Sequence, residues 1–404
     1  MKSLARLLCY FVVIEGCLSA QTVPLYWYSS TTPTKIDNVL DGSKLYMASS
    51  DSAVHLSKIT VSSNGQTKTL QQLIGDFDVN GFMNGFPVNS DLTISTTNSG
   101  AVTDELHGIL LISSPDMAKD PNFLVYLVSD QTRTIDRLDY NDTTLVLLNV
   151  KVSKLPTDPA AKPFTSCRVE NINQAKNTQL YIYQDIPGDG YTDPTLRETS
   201  AKLIFRNPVQ LLPTGTTVDT VFFDNIEPIQ YTLRTWHIRA VGGGISFNVS
   251  REWKDQTNYQ TTKESTTGYT MSQASTYQSN ITYKYTPNHD AVSGYMITTK
   301  YMFADMSVTT CNQINCTSEP FLKTVPVTTD FFQSARNDTV LSVNIAKVDD
   351  FGYYSLQYFR TEQNVLLPNN STSTALPEST TKSGSALSFI LAIISMILHL
   401  FLYS

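Results

Sequence analysis

Sustained apolar runs occur in only two places, 1–20 and 386–404, and everything between them is broken into short pieces. A chain whose interior lacks long apolar runs must assemble its core from many short elements. The period of those pieces then decides the fold class. Segments 122–128, 143–152, 179–183, 201–205, 217–223, 231–239 and 245–249 are β-branched or aromatic and bounded by Gly, Pro, Asn or Asp, as strands are. Several alternate apolar with polar, the pattern of half-buried antiparallel strands. Helical periodicity is confined to 66–74 and 116–119. Asn64-Gly65 and Gly242-Gly243-Gly244 supply the positive φ that tight hairpins require. We therefore expect an all-β chain of two antiparallel, jelly-roll-like β-sandwich domains.

The two ends read as processing signals. Lys2 and Arg6, the apolar stretch 7–14 and small residues before Gln21 have the layout of a secretory signal peptide over 1–20, too short in its apolar core to span a bilayer. At the other end, small residues, a polar spacer and the apolar tail 386–404 form the pattern of a glycosylphosphatidylinositol signal. Ser373 leaves a spacer of the usual length, whereas Ser383 has better small-residue chemistry and almost no spacer. A single transmembrane helix is the alternative; the absence of Lys or Arg after the tail weakens it, because a stop-transfer helix usually carries basic residues on its cytoplasmic side.

Between the ends, three prolines within 155–163 interrupt any ladder or helix. They mark a linker between a first domain at 21–154 and a second at 164–362. Residues 363–385 are a Ser/Thr-rich stalk with no reason to pack. Within the second domain, 255–280 is rich in Thr, Ser, Gln and Tyr and poor in aliphatic residues, so a long loop or a polar edge hairpin is expected there.

Composition agrees with an extracellular setting. Asn-x-Ser/Thr sequons stand at Asn141, Asn248, Asn280, Asn315, Asn337, Asn369 and Asn370. Each accepts a glycan only where it faces solvent, so they double as markers of the surface. Export also permits disulfides. Cys311 and Cys316 are close enough to close a small loop, while Cys167 is left over. Such a loop removes little chain entropy and would fix a turn rather than hold a domain. The formal charge of −7 argues against nucleic acid or anionic lipid as partner, since both reward clustered Lys and Arg.

Residues 339–358 end in Asp349-Asp350-Phe351-Gly352-Tyr353-Tyr354-Ser355-Leu356-Gln357-Tyr358. This stretch resembles the closing strands of CUB domains, and with the signal, the sequons and the anchor-like tail it is similar to the nematode CUB-like secreted proteins. The resemblance implies CUB-like sandwiches and a setting in surface defence or stress responses. CUB domains usually carry paired disulfides, and residues 21–166 contain no cysteine. The same residues are also similar to the Asp-x-Gly-x-Tyr corner of immunoglobulin domains, with Leu356 where those domains place a cysteine. Both analogies lead to an antiparallel sandwich.

Catalytic patterns are absent from the sequence: His55, His107, His237 and His289 have neither metal-pair spacing nor a neighbouring nucleophile, and no Gly-x-Ser-x-Gly or His-Glu-x-x-His occurs. Asp185, Asp189 and Asp193 lie around two glycines, oxygen ligands of the kind that hold Ca²⁺. They are equally the residues of any solvated loop, and we expect no metal or other cofactor. The expected function is that of a membrane-anchored extracellular glycoprotein that binds a protein or glycan. The dense aromatic segment Pro24-Leu25-Tyr26-Trp27-Tyr28 is its candidate contact, with a core-facing first strand as the alternative. A carboxylate-based hydrolase tethered at the surface is the second functional class.

Overall fold

The computed structural model describes residues 20–28, 31–150, 166–188, 202–211, 219–252, 254, 258–261, 263, 265–271, 280–285, 291–302, 304–334, 339–345 and 353–362. The chain divides into two units, 1–367 and 368–404; the second lies outside the described residues, as do 1–19, 155–163, Asn337 and the whole tail. The first unit is all-β, with short helices only between strands.

Among the described residues, four sheets of four or five strands form its first two thirds, with a two-stranded pair, Val209–Gln210 and Thr220–Val221, beside them. The first sheet orders Thr34–Lys35, Thr93–Thr96, Ile59–Ser63 and Gln66–Thr69; the second orders Gln21–Pro24, Gly108–Ile112, Ser43–Ser49 and Phe86–Val88. The third comprises Leu203–Asn207, Gln179–Gln184, Thr235–Val241, Asp142–Leu148 and Phe123–Leu127. The fourth comprises Arg133–Arg137, Ile245–Ser250, Cys167–Gln174 and Ile229–Tyr231.

Alternation along the strands decides how these sheets stack. Leu45, Met47, Leu110 and Ile112 meet Ile59, Val61 and Ile94 of the first sheet in one core. The residues between them, Tyr46, Ala48, Ile109 and Leu111, point the other way and meet Phe123, Val125, Val146 and Leu148 of the third sheet. Leu145 and Leu147, with Trp236 and Ile238, face Ile135, Phe247, Val249 and Tyr231 of the fourth sheet. The second and third sheets are thus buried on both faces, which is why Gly108–Ile112 and Asp142–Leu148 read as continuous apolar runs rather than alternating ones.

The pairing is antiparallel almost throughout, but Phe123–Leu127 runs parallel to Asp142–Leu148. Between those two strands the chain crosses to the fourth sheet as Arg133–Arg137, the kind of crossover a parallel pair requires. The expected boundary at 155–163 does not divide the sheets. Arg133–Arg137 and Asp142–Leu148 precede it, yet they pair with Ile245–Ser250 and Thr235–Val241, which follow it. Proline is compatible with a strand end whether the next strand joins a new sheet or the same one, so prolines in sequence do not by themselves separate domains.

The last third is a sandwich of a fifth sheet, Thr266–Met271, Tyr353–Glu362, Ala291–Lys300 and Val327–Ser334, and a sixth, Asn258–Thr261, Asn280–Tyr285, Val340–Ile345, Met306–Cys311 and Cys316–Phe321. Tyr295, Ile297, Tyr354, Leu356 and Tyr358 meet Ile281, Tyr283, Val308, Leu341 and Val343 between them. The two strands of the CUB-like stretch therefore lie in opposite sheets, not in one hairpin. The outer face of the fifth sheet is covered too: Val292 and Phe359 pack on Val209, Val221 and Phe223, and Tyr269 and Met271 enter the core between the third and fourth sheets.

Polar residues knit this junction. Gln357, buried, donates to Arg206 O (2.7 Å) and Thr267 Oγ1 (2.9 Å) and accepts from Arg206 N (3.0 Å). Glu227, also buried, accepts from Thr261 Oγ1 (2.8 Å), Thr266 Oγ1 (3.1 Å), Asn225 Nδ2 (3.1 Å) and the Tyr259 hydroxyl. Burial alone would raise this carboxyl's pKa, but the donors outweigh it and hold it below the ordinary glutamate range. The polar stretch 255–280 thus supplies two strands, and Thr266–Met271 is buried along its length. The hydroxyls of Thr261, Thr266 and Thr267 find acceptors inside, on Glu227 and on Tyr358 O, which helps so polar a segment to enter the interior.

Two outcomes test this architecture. Leu111→Ala, in the layer between the second and third sheets, is expected to cost ~2–5 kcal/mol in chemical denaturation, against less than ~0.5 kcal/mol for Val79→Ala on the surface. Equal losses would mean that the layer is not packed. Because Glu227 titrates lower folded than unfolded, its contribution is present above the unfolded value of ~4.3 and is lost as pH falls through the folded value. Wild type should therefore lose stability more steeply than Glu227→Gln on acidification below that point; parallel curves would exclude an ionised Glu227.

Candidate functional site

The aromatic segment near the start forms the most exposed ring pair on this fold. After the edge strand Gln21–Pro24 the chain makes a single 3₁₀ turn, Leu25–Trp27, closed by Tyr28 N donating to Leu25 O. Leu25 enters the core, where Gly108 leaves room for it: a Cβ on Gly108 would lie 2.7 Å from Leu25 Cδ1. With Leu25 anchored, the turn throws Tyr26 and Trp27 outward, 47% and 63% exposed, with ring centroids 6.3 Å apart and planes at 88°. Tyr28 returns half-buried, and burial together with the Asp37 charge raises its phenol pKa. The segment is therefore neither a wholly exposed strand nor a core-facing one, because the turn gives its four residues different directions.

Tyr26 forms one wall of a cleft of about 230 Å³, with Asp104, His107 and Arg234 supplying polar groups. Leu106, Gly108, Ile109 and Val150 supply the remaining lining. Asp104 ends the short helix Gly100–Asp104. His107 follows, just before the strand Gly108–Ile112, and is tied to Asp51: its backbone N–H donates to Asp51 Oδ2 at 2.9 Å, and its Nδ1 lies 3.8 Å from Asp51 Oδ1. Ser49 donates to the same Asp51 oxygen at 2.7 Å and so fixes the carboxylate. Arg234 sits in the break between Ile229–Tyr231 and Thr235–Val241, and its backbone carbonyl accepts from Asn149 N at 2.8 Å. The 231–239 segment, expected as one strand, is two strands in two sheets, and the break is what brings Arg234 to the cleft.

Asp104, His107 and Arg234 meet through tertiary packing. Asp104 and His107 stand three residues apart and Arg234 far from both, a spacing that matches no motif, so sequence reasoning found only the aromatic part of this site. The other histidines do ordinary work. His237 is buried, stacks on Tyr183 at 5.1 Å and pairs through Nδ1 with Asp185 O at 2.7 Å. His55 ends the first turn after Ser52, and His289 lies outside the described residues.

The remaining sites separate as follows. Cys311 and Cys316 are joined in a disulfide across the tip of the hairpin formed by Met306–Cys311 and Cys316–Phe321. Cys167 carries a buried thiol in the core between the third and fourth sheets. Asn141 and Asn315 are exposed on turns. Asn248 is half-buried on the polar outer face of the fourth sheet, accepting from Thr134 Oγ1 at 2.8 Å. Asn280 begins a strand of the sixth sheet; Asn337, Asn369, Asn370, Ser373 and Ser383 lie outside the described residues. Asp185 adopts a positive φ of 65°, and Asp189 and Asp193 lie outside the described residues. Among the described residues no group of three or more His, Cys, Asp or Glu is arranged to hold a metal ion, and no helix is long and apolar enough to cross a membrane.

Comparison with known proteins gives one extended match. The model of a family described as transmembrane glycoprotein matches residues 40–398. No curated protein matches. Among solved structures, the insecticidal delta-endotoxin Cry8Ea1 from Bacillus thuringiensis is 8% identical with a TM-score of 0.15, over 49% of this chain and 43% of that one. The cycloalternan-forming enzyme from Listeria monocytogenes, in complex with a pentasaccharide substrate, is 8% identical with a TM-score of 0.19, over 70% of this chain and 28% of that one. The chain thus spans less than half the length of either, and neither likeness bears on fold or site.

Proposed function

Because the chain belongs to the transmembrane glycoprotein family, we propose that it is a surface-tethered binding module whose contact point is the Tyr26–Trp27 corner. In this reading residues 1–20 direct export. The apolar run 386–404 attaches the protein to the outer face of the plasma membrane, through lipid at Ser373 or Ser383 or as a single helix. The observation that carries the reading is the exposure of two large aromatic rings on a turn anchored by a buried leucine. Tyr and Trp offer wide contact area with few rotors, and stacked sheets hold them without further ordering cost. The resemblance of 339–358 to CUB-like proteins adds a setting in surface defence.

The sequons fit a module displayed to the outside. Asn141 and Asn315 are exposed, and neither lines the cleft, so glycans there would shield the scaffold and leave the contact point open. On secretion, Asn141→Gln and Asn315→Gln are each expected to increase gel mobility by one glycan increment, a difference abolished by enzymatic deglycosylation. Unchanged mobility in both would remove the extracellular reading.

The binding role is tested on cells displaying the full chain, by covalent crosslinking of its neighbours in wild type and in the Tyr26→Ala/Trp27→Ala variant at matched surface levels. Losing ten-fold or more of the crosslinked species is expected. An identical crosslinking pattern would dismiss the aromatic corner as the contact point.

A further inference from the structure

We propose that the cleft beside Tyr26 takes a neutral saccharide, one sugar ring at a time, an assignment that rests on the aromatic corner being the contact point and names its ligand class. Three features of the cleft select that chemistry. The first is size. At about 230 Å³ the cleft lies below the ~300–1,000 Å³ of ordinary small-molecule pockets, a size that matches one sugar ring seated with the rest of a chain outside.

The second is the balance of donors and acceptors. A sugar ring presents hydroxyls that both donate and accept, around an apolar C–H face. Arg234 offers only donors, Asp104 only acceptors, and His107 one ring nitrogen of each kind when neutral. Among the described residues neither Arg234 nor Asp104 spends its side chain on an ion pair. Tyr26, 47% exposed, lines the cleft with an aromatic ring against which the C–H side of a sugar can lie, and Trp27 stands beside it with its ring centroid 6.3 Å away.

The third is charge. Arg234 is offset by Asp104, His107 is backed by Asp51, and the chain as a whole carries −7. A carboxylate- or sulfate-bearing sugar would need a surplus of cations, and none faces the cleft. A neutral ring satisfies the same groups without that cost.

The test uses cells displaying the full chain and fluorescent polyacrylamide polymers bearing mannose, galactose, glucose, N-acetylglucosamine or sialic acid; many copies are used because single-ring contacts are weak and avidity makes them measurable. At least one neutral polymer is expected to bind ten-fold or more above the sialylated one. Asp104→Asn, Arg234→Gln and Tyr26→Ala should each reduce that binding at least five-fold at unchanged surface level, while Val79→Ala, a distant surface control, leaves it intact. Free neutral sugar in excess should compete.

Binding of the sialylated polymer alone would overturn the assignment, as would neutral binding that survives all three substitutions. No polymer binding, with crosslinking still lost in the Tyr26→Ala/Trp27→Ala variant, would overturn the saccharide while sparing the contact point. Loss of neither would overturn both.

Discussion

The apolar layer between the second and third sheets is what makes one body of the first four. Tyr46, Ala48, Ile109 and Leu111 on one side and Phe123, Val125, Val146 and Leu148 on the other are the second faces of strands whose first faces already build separate cores. Fully burying a side chain of that size is worth ~1.5–3 kcal/mol, so a layer of this many residues outweighs the loss of freedom between two sandwiches. The consequence reaches the cleft directly. Gly108 and Ile109 belong to the second sheet and Val150 follows a strand of the third, so the cleft opens where the layer ends, and its walls are fixed by the same packing.

The junction with the last sandwich works differently. There the contact combines apolar residues, Phe223 on Phe359 at 6.2 Å, with buried side chains that bond across it. Gln357 completes the main-chain bonding of Arg206 on an edge strand of the third sheet, which closes an edge that would otherwise present unpaired groups. Asn207, wholly buried, bonds Phe223 in both directions and Gln174 besides. Each polar group is expensive to bury and inexpensive once partnered, so this junction specifies one arrangement where a purely apolar contact would tolerate several.

Strand content was legible because β-branched and aromatic residues in short segments leave little else to form, and because Asn64 and Gly65, at φ 53° and 70°, announce their hairpin chemically. What escaped was everything that depends on a second face. The run 143–152 looked like a buried strand but carried no record of which sheet would cover its other side. The polar 255–280 stretch read as a long loop or a polar edge hairpin, because hydroxyl count says nothing of whether acceptors such as Glu227 and Tyr358 O wait inside. The 66–74 segment split for a local reason: Gln66–Thr69 pairs with Ile59–Ser63, and Thr69 with Gln72 then forms a capping box that starts the helix Leu70–Ile74. Of the site, the aromatic pair was visible and its polar partners were not, since Arg234 joins Asp104 and His107 only when the strands of two sheets are in place.

That division between a visible and an invisible half of the site has a physical origin. Rings exposed on a turn cost the fold little and need only one anchored neighbour, Leu25, so they can be encoded locally. Groups that must face one another across sheets are positioned by the whole stack, and moving any of them requires repacking the layer beneath. Tyr26 and Trp27 can therefore change with little consequence for the sheets beneath them. The residues around the cleft sit on segments pinned by Asp51, Ser49 and Asn149, so a change there disturbs contacts that hold the ends of strands in place.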